Sequence, residues 1–347
     1  MTQPKAFDAS GIQFGWDSTS IKLAEECLYK YKLKMIDGWQ PETLSVHLRF
    51  GQHYATALEH YHKHIALGID HDEAVYLVVK EALEDTWDRP ICKECQGEGQ
   101  LDITTEFAEE NPWAGRVDKA VTPCETCNAT GISAEGAPWE SDHNVKTRAN
   151  LIRTIIWYLE QFGKDDAVST LILSDGVPAV EHSFALPVDN GIVFAGHLDR
   201  LGVYAGDPYV QDQKTTGATI TQRYFEGFNP DTQMSMYTFA GKVAYGIPVK
   251  GVIIDAAQIA VGFSRFERGF TFRVEAQLNE WYDHTMYHIE VARKATRENF
   301  FPMNRSSCGN YGGCEFRDIC SRAPSVREQF LKAKYIRGPR WDPLTPR

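Results

Sequence analysis

The chain has 347 residues, of which 43% are hydrophobic, and a formal net charge of −11 at pH 7. This length can bury a substantial core, in one large domain or in one domain with an insertion. No run of about 18 apolar residues is present, so no membrane span is expected. The charge argues against indiscriminate binding to nucleic acid, and the lack of an apolar signal core predicts a cytoplasmic protein.

Hydrophobic periodicity predicts alternating blocks of helix and strand. The order of these blocks, helices followed by a β-meander, a helix and further strands, predicts an α/β core with a mixed central sheet flanked by helices. The predicted elements, in chain order, are helices over 18–36, 43–66, 71–87 and 143–163, strands near 178–188, 191–204 and 208–215, a helix from Gln233 to about Tyr245, strands from Val249 and from Phe270, and a helix over 276–298.

Composition divides the chain into four parts. Residues 1–87 and 141–325 carry the periodic elements, and residues 88–140 contain Pro, Gly and four cysteines and are predicted to be an insertion. Residues 326–347 are basic, contain three prolines and are predicted to form an extended tail. Residues 291–347 hold 12 Lys and Arg against 5 Asp and Glu, so a local basic surface could contact phosphates, although a solvated charge run is equally compatible with the sequence.

Three charged residues are the most informative part of the sequence. Asp199 lies in one predicted strand, and Asp212 and Lys214 lie in the next, with Gly206-Asp207-Pro208 as the turn between them. Because strand side chains alternate, Asp212 and Lys214 lie on one face. Carboxylates hold a hard cation such as Mg²⁺, and the lysine can activate water or offset phosphate charge. A surface hairpin with an Asp–Lys pair is the alternative.

Residues on either side extend this pattern. Glu181 lies in the strand upstream, and Gln233 and Tyr237 are four residues apart and therefore neighbours on one helix face. The ordered set resembles the RecB-type branch of the PD-(D/E)-x-K nucleases, over roughly residues 18–325. The resemblance implies a restriction-endonuclease-like fold in which residues 1–87 and 141–325 form one nuclease domain.

The resemblance also implies a role for each residue of the set. The activity would be that of a Mg²⁺- or Mn²⁺-dependent deoxyribonuclease. The implied roles are metal binding by Asp199, Asp212 and the backbone carbonyl of Gln213, assistance to the water by Lys214, support of the site by Glu181, and positioning of DNA or catalytic groups by Gln233 and Tyr237.

One position departs from the family pattern. In the family, the helix that corresponds to residues 43–66 usually carries a metal-binding histidine in a G-x-x-x-H-x-x-L-E frame. Here Gly51 and Glu59 match the frame, but Ala55 occupies the histidine position. His53 is about 200° around the helix from Ala55 and cannot simply substitute. Either His53, Glu59 or a water would complete the site.

Four of the eight cysteines lie near the ends of the predicted nuclease region. Cys308, Cys314 and Cys320 follow a C-x5-C-x5-C spacing, and Cys27 lies in the first helix. One N-terminal cysteine with a C-terminal triplet is similar to the iron–sulfur nucleases of this branch, such as the AddB subunit and the CRISPR-adaptation nucleases, although their commoner spacing is C-x2-C-x5-C. The resemblance implies a [4Fe–4S] clasp. A four-thiolate zinc site and unrelated buried thiols are the alternatives.

The other four cysteines form two C-x-x-C knuckles. They are Cys92 with Cys95, and Cys124 with Cys127. Two knuckles of this spacing predict a structural Zn²⁺ site. The first resembles the C-x-x-C-x-G-x-G repeat of DnaJ-type zinc modules. Disulfides are the alternative, and they would rarely form in the cytosol.

The leading hypothesis is a metal-dependent DNA nuclease, an exonuclease or an enzyme that processes DNA ends on single strands. It would act in recombination, repair or the DNA metabolism of phages and mobile elements, with a separate helicase or recombination protein as a partner, since no phosphate-binding loop is present. A second hypothesis, motivated by Ala55, is a non-catalytic DNA-binding or assembly subunit with a relic nuclease fold. A third is a zinc-mediated interaction protein that recruits a partner through residues 88–140.

Overall fold

A seven-stranded mixed sheet with helices on both faces forms the centre of the computed structural model. The structure describes residues 6–42, 45–104, 121–133, 135–164, 166–174 and 176–346. The predicted α/β fold with a mixed central sheet is confirmed. In the described ranges no helix combines the length and the apolar composition of a membrane span.

The helices and strands follow one another as the periodicity predicts, with several short additions. The N-terminal half contains β1 Gly15–Trp16, α1 Ser18–Glu26, α2 Leu28–Tyr31, β2 Trp39–Pro41, α3 Val46–Ala66, α4 His71–Asp85, β3 Trp87–Asp88, β4 Gln100–Asp102, β5 Val121–Pro123, β6 Ala137–Pro138 and α5 Arg148–Phe162. The C-terminal half contains β7 Val168–Thr170, β8 Val180–Pro187, β9 Val193–Tyr204, β10 Asp207–Thr216, α6 Gln222–Glu226, α7 Thr232–Val243, β11 Gly251–Ile259, β12 Ser264–Phe272, α8 Glu275–Arg297, α9 Arg317–Cys320, α10 Arg327–Lys334 and β13 Tyr335–Arg337.

The sheet has the strand order β1-β9-β10-β11-β12, and β7 and β8 also pair with β9. β9 and β10 form the predicted antiparallel hairpin. β10 and β11 are parallel, with Asp212 opposite Ile254 and Lys214 opposite Ala256. The parallel pair needs a crossover, and α6 and α7 lie within it. This crossover places α7 on the face that carries Asp212.

The two faces of the sheet have separate apolar cores. On one face, residues of α1, α7 and α8 such as Ile21, Met234 and Ile289 pack on Val210 and Ile254. On the other face, the core contains buried residues of α3, α4 and α5 and of the strands β11 and β12. Because side chains alternate along a strand, Asp212 shares the face of Val210 and points toward α7.

A buried polar network crosses the opposite face of the sheet. Arg200 donates to Asp166 at 3.1 Å and to Gln211 at 2.9 Å. Arg268 pairs with Asp255 at 3.1 Å and also contacts Asp166. Because each buried charge has an opposite partner, the network satisfies groups that would otherwise be costly to bury. It links four strands directly behind the acidic residues.

The N-terminal helix and the C-terminal tail differ from prediction. The helix expected over 18–36 is interrupted at Cys27, which adopts an extended backbone with φ −164° and ψ 113°. The tail expected to be extended over 326–347 instead forms α10 and β13, and β13 pairs with β2. Leu331 is buried in a core with Leu33 and Phe316, and this apolar contact explains why the tail folds back despite its charge.

The cysteine-bearing segment between α4 and α5 has its own small strands. β3 pairs with β6, which brings Trp87 opposite Pro138 at the base of the segment. β4 pairs with β5 beside the knuckles. Residues 105–120 and 134, which the predicted insertion includes, lie outside the described residues.

Candidate active site

Asp199 and Asp212 lie side by side on the β9–β10 hairpin. The paired register of these strands ends with Arg200 opposite Gln211, and the next residue on each strand is one of the two acids. Oδ2 of Asp199 accepts a hydrogen bond from the backbone N–H of Gln213 at 2.9 Å. Asp212 is only 1% exposed. The hairpin therefore presents two neighbouring carboxylates, one of them fully buried.

Lys214 completes the charged group on the same face. Its ammonium forms an ion pair with Oδ2 of Asp212, but this oxygen lacks a hydrogen bond of good geometry within the described residues. Burial raises the pKa of Asp212 to about 7, and the charge of Asp199 adds to this while Lys214 opposes it. Burial alone would lower the pKa of Lys214, but Asp212 and Asp199 outweigh it and raise the pKa. The excess of negative charge favours a cation here.

Glu181 approaches the two acids from the neighbouring strand β8. It lies between the pairs Val180–Arg200 and His182–Leu198 of the β8–β9 register. Its φ of +47° is in the left-handed region, where a residue with a side chain is strained by about 1–2 kcal/mol. Such strained positions cluster at functional sites.

Gln233 and Tyr237 face the acids from α7. The amide Nε2 of Gln233 donates to Oη of Tyr237 at 2.9 Å, as their four-residue spacing predicts. Burial raises the pKa of Tyr237, and Asp199, Asp212 and, more weakly, Glu181 add to this rise. The hydroxyl of Tyr237 therefore lies within the electrostatic reach of all three carboxylates.

Asp231 is an acidic neighbour that the sequence analysis did not select. It is the N-cap of α7, and its side chain accepts from the backbone N–H groups of Gln233 and Met234 at 2.9 and 3.1 Å. It also pairs with Lys22 at 2.9 Å. Its charge contributes to the raised pKa of Asp212. An aspartate two residues before the predicted start of a helix is an N-cap signal that could have drawn attention to it.

His53 and Glu59, the two candidate substitutes for the family histidine, each contact another residue in the structure. The ring of His53 lies 6.2 Å from that of Trp139, and burial together with Arg49 lowers the pKa of His53. Glu59 forms an ion pair with Lys63. Of the family frame, Gly51 lies against β10, where an added Cβ would be 3.6 Å from Oγ1 of Thr215.

The four knuckle cysteines form a compact group. Cys92 and Cys124 have their sulfurs 3.9 Å apart, and those of Cys95 and Cys127 are 3.6 Å apart. All four sulfurs lie within 4.8 Å of one another. A tetrahedral zinc with Zn–S bonds of about 2.3 Å requires sulfurs about 3.8 Å apart. The backbone N–H of Gly131 donates to Sγ of Cys127 at 3.2 Å.

Cys27 and the C-terminal triplet line one cavity although they lie far apart in the sequence. A cavity of about 240 Å³ is lined by Cys27, Cys308, Cys314 and Cys320. Burial raises the pKa of Cys320 to about 11, and the other three thiols add to this rise. The backbone N–H of Asn304 donates to Sγ of Cys27 at 3.4 Å. The cavity offers space for a group larger than a single ion.

Comparison with known proteins identifies the superfamily of the chain. The model of the PD-(D/E)XK nuclease superfamily matches residues 18–321, and the chain belongs to this superfamily. No curated protein matches the sequence. A solved structure of a candidate exonuclease from Eubacterium rectale is similar over 89% of this chain and 89% of that chain, with 10% identity and a TM-score of 0.44.

Proposed function

We propose that the protein is a metal-dependent deoxyribonuclease that acts on single strands or DNA ends. The observation that supports this most directly is the convergence of Asp199, Asp212 and Lys214 on one sheet face. A phosphodiester is cut when a water is made nucleophilic and the charge on the phosphoryl oxygens is stabilised. Two carboxylates and a lysine can meet these requirements. The chain also belongs to a nuclease superfamily.

The donor set fits a hard divalent cation. Asp199 and Asp212 offer carboxylate oxygens, and Oδ2 of Asp212 is buried without a well-formed hydrogen bond. The backbone carbonyl of Gln213 is the further oxygen ligand in this proposal. Mg²⁺ and Mn²⁺ prefer such oxygen ligands. When bound, the cation lowers the pKa of a water and offsets charge on the phosphate.

The side chains around the carboxylates have distinct tasks in this proposal. The ammonium of Lys214 holds the attacking water or donates to a phosphoryl oxygen, since its raised pKa keeps it charged. The amide of Gln233 and the hydroxyl of Tyr237 fix each other and form a polar wall for the scissile phosphate. Glu181 supports the site from β8. None of these groups reads a base, so sequence specificity would be weak.

Two further cofactors belong to this proposal. Zn²⁺ binds the knuckle cysteines, whose spacing suits a tetrahedral ion. A [4Fe–4S] cluster binds Cys27, Cys308, Cys314 and Cys320, because four thiols around one cavity match its ligation. The cluster would tie the first helix to the C-terminal segment, and the zinc would hold residues 88–140 as a separate insertion.

The cellular setting follows from the activity. A strand-cutting enzyme without a motor would act in recombination, repair or mobile-element DNA metabolism, with a separate helicase or recombination protein to expose single strands. A cytoplasmic location fits eight cysteines that are all free of disulfides.

The second candidate function is a non-catalytic DNA-binding or assembly subunit, and Ala55 in the histidine position favours it. The decisive experiment is incubation of the purified chain with an end-labelled single strand, with Mg²⁺ or Mn²⁺ and without added metal. Metal-dependent shortening of the strand supports the nuclease. Binding of the strand without cleavage under every metal condition supports the assembly subunit instead.

A further inference from the structure

A groove runs beside the active site along α1 and α2. It has a volume of about 210 Å³, and its walls include Ser18, Lys22, Lys30, Lys34 and Gln233; we call it the lysine groove. At its Gln233 wall it borders the active site, because the amide of this residue donates to Tyr237. The lysine groove is therefore a candidate path for the part of a substrate that lies outside the catalytic centre.

The charge of the lysine groove contrasts with that of the whole chain. Three lysines and one glutamate, Glu26, line it, and its other walls are uncharged. The chain as a whole carries a net charge of −11. Lys22 lies in α1, Lys30 lies in α2 and Lys34 lies in the helical turn that follows α2, and all three line the same groove. A row of cations along a concave surface suits a chain of phosphates.

The far end of the lysine groove meets the cysteine cavity. Lys30 lines both of them. Arg305 and Arg317 line the cysteine cavity as well, so the positive charge continues past Lys30. One concave path therefore extends from Gln233, beside the acids, to the four cysteines.

Each lysine of the groove also has an acidic partner on the protein. Lys22 pairs with Asp231 at 2.9 Å, and Lys34 pairs with Glu315 at 2.8 Å. Lys30 pairs with Glu26 at 3.1 Å. These pairs are only partly exposed to solvent, and a phosphate that displaces the carboxylate leaves each lysine with an anionic partner. These acids also hold the long side chains in place in the absence of a ligand.

We propose that the lysine groove binds the phosphates of a single-stranded nucleic acid and guides this strand between the active site and the cysteine cavity. This inference rests on the proposed function, because the strand would be its substrate. It also gives the cysteine clasp a second role, since Cys27 lies between α1, which carries Lys22, and α2, which carries Lys30.

The test is a binding measurement that needs no catalysis. A fluorescein-labelled oligothymidine is titrated with the full chain without added Mg²⁺ or Mn²⁺, and anisotropy is read at several salt concentrations. Lys30→Gln and Lys34→Gln should each weaken binding and lower the slope of log affinity against log salt by about 0.7. Glu26→Gln, which removes the competing carboxylate, should strengthen binding.

The matched control is Lys250→Gln. Lys250 is exposed and pairs with Asp207, which lies at the end of β10 that is remote from Asp212. This variant should bind like the parent. Unchanged affinity and slope in Lys30→Gln and Lys34→Gln, or an equal loss in the control, would overturn the proposal, and so would stronger competition by duplex than by single strand. A strand that binds through these lysines but is never cut would leave the groove valid and contradict the nuclease.

Discussion

The carboxylate of Asp199 accepts a hydrogen bond at 2.9 Å from the backbone N–H of Gln213, so the first acid of the site holds the strand that carries the second. Asp199→Asn keeps an oxygen acceptor and loses the charge, whereas Asp199→Ala loses both. We expect both variants to lose at least about 10²-fold in cleavage rate. Only the alanine variant should also lose about 1 kcal/mol in the free energy of unfolding.

Urea unfolding and a cleavage assay on the same preparations test this prediction. Equal stability of the two Asp199 variants would show that the bond to Gln213 contributes nothing measurable. Parental activity in Asp199→Asn would show that the charge of Asp199 is not needed.

The sequence was sufficient to predict the α/β fold with its mixed central sheet, because the helices and strands follow local patterns. The catalytic and metal-binding roles of the residues on this sheet stay predictions. The alternation around Asp212 and Lys214 determines their common face, and the spacing of Gln233 and Tyr237 determines their contact. The break at Cys27 and the folding of the tail were not predictable, because they depend on contacts between distant segments. Leu331 finds Leu33 and Phe316 only in the folded chain.

The start of strand β12 also differs from the prediction. It begins at Ser264, earlier than the predicted start at Phe270. Its first half, with Arg265, Glu267 and Arg268, is polar and gives a weak strand pattern. Arg268 is held by Asp255 and Asp166, and the sequence alone does not reveal these partners.

The buried amine of Lys146 should make stability depend on pH. Its side chain lies over the ring of Phe50 at 4.3 Å and has no hydrogen-bond partner within the described residues. Burial lowers its pKa from 10.5 to about 8. The folded state therefore carries the full cost of the buried charge below pH 8, and this cost disappears as the pH rises toward 10.5.

Lys146→Met should therefore be more stable than the parent at pH 7, by up to about 3 kcal/mol. The difference should shrink between pH 8 and 10. Thermal or urea unfolding of both proteins across this range measures it. A difference that is independent of pH, or a variant less stable than the parent at pH 7, would mean that the amine has a favourable partner in the folded state.

The knuckle cysteines should bind one zinc per chain. Cys95→Ser removes one of four sulfurs that lie within 4.8 Å of one another, so zinc should be lost while the sheet stays folded. Elemental analysis with far-ultraviolet circular dichroism checks both points, and Thr126→Ala, between the second pair of cysteines, serves as the control. Parent protein free of zinc at neutral pH would contradict this site.

The cysteine clasp should hold iron. Anaerobically purified protein should be brown, with the broad visible absorbance of an iron–sulfur cluster. Cys27→Ser should bleach it and destabilise the whole fold, because the clasp joins α1 to the C-terminal segment. Ser307→Ala, which changes another wall of the same cavity, should keep the colour. Colourless parent protein without iron would leave zinc or plain thiols as the better assignment.

The most direct test of the catalytic assignment compares two aspartates of β10. Asp212 is buried beside Asp199, whereas Asp207 is exposed at the other end of the strand. With Mg²⁺ or Mn²⁺ and a labelled single strand, Asp212→Ala should cleave at least about 10²-fold more slowly than the parent, and Asp207→Ala should match the parent. Cleavage by Asp212→Ala at the parent rate would contradict the assignment of this site as the active centre.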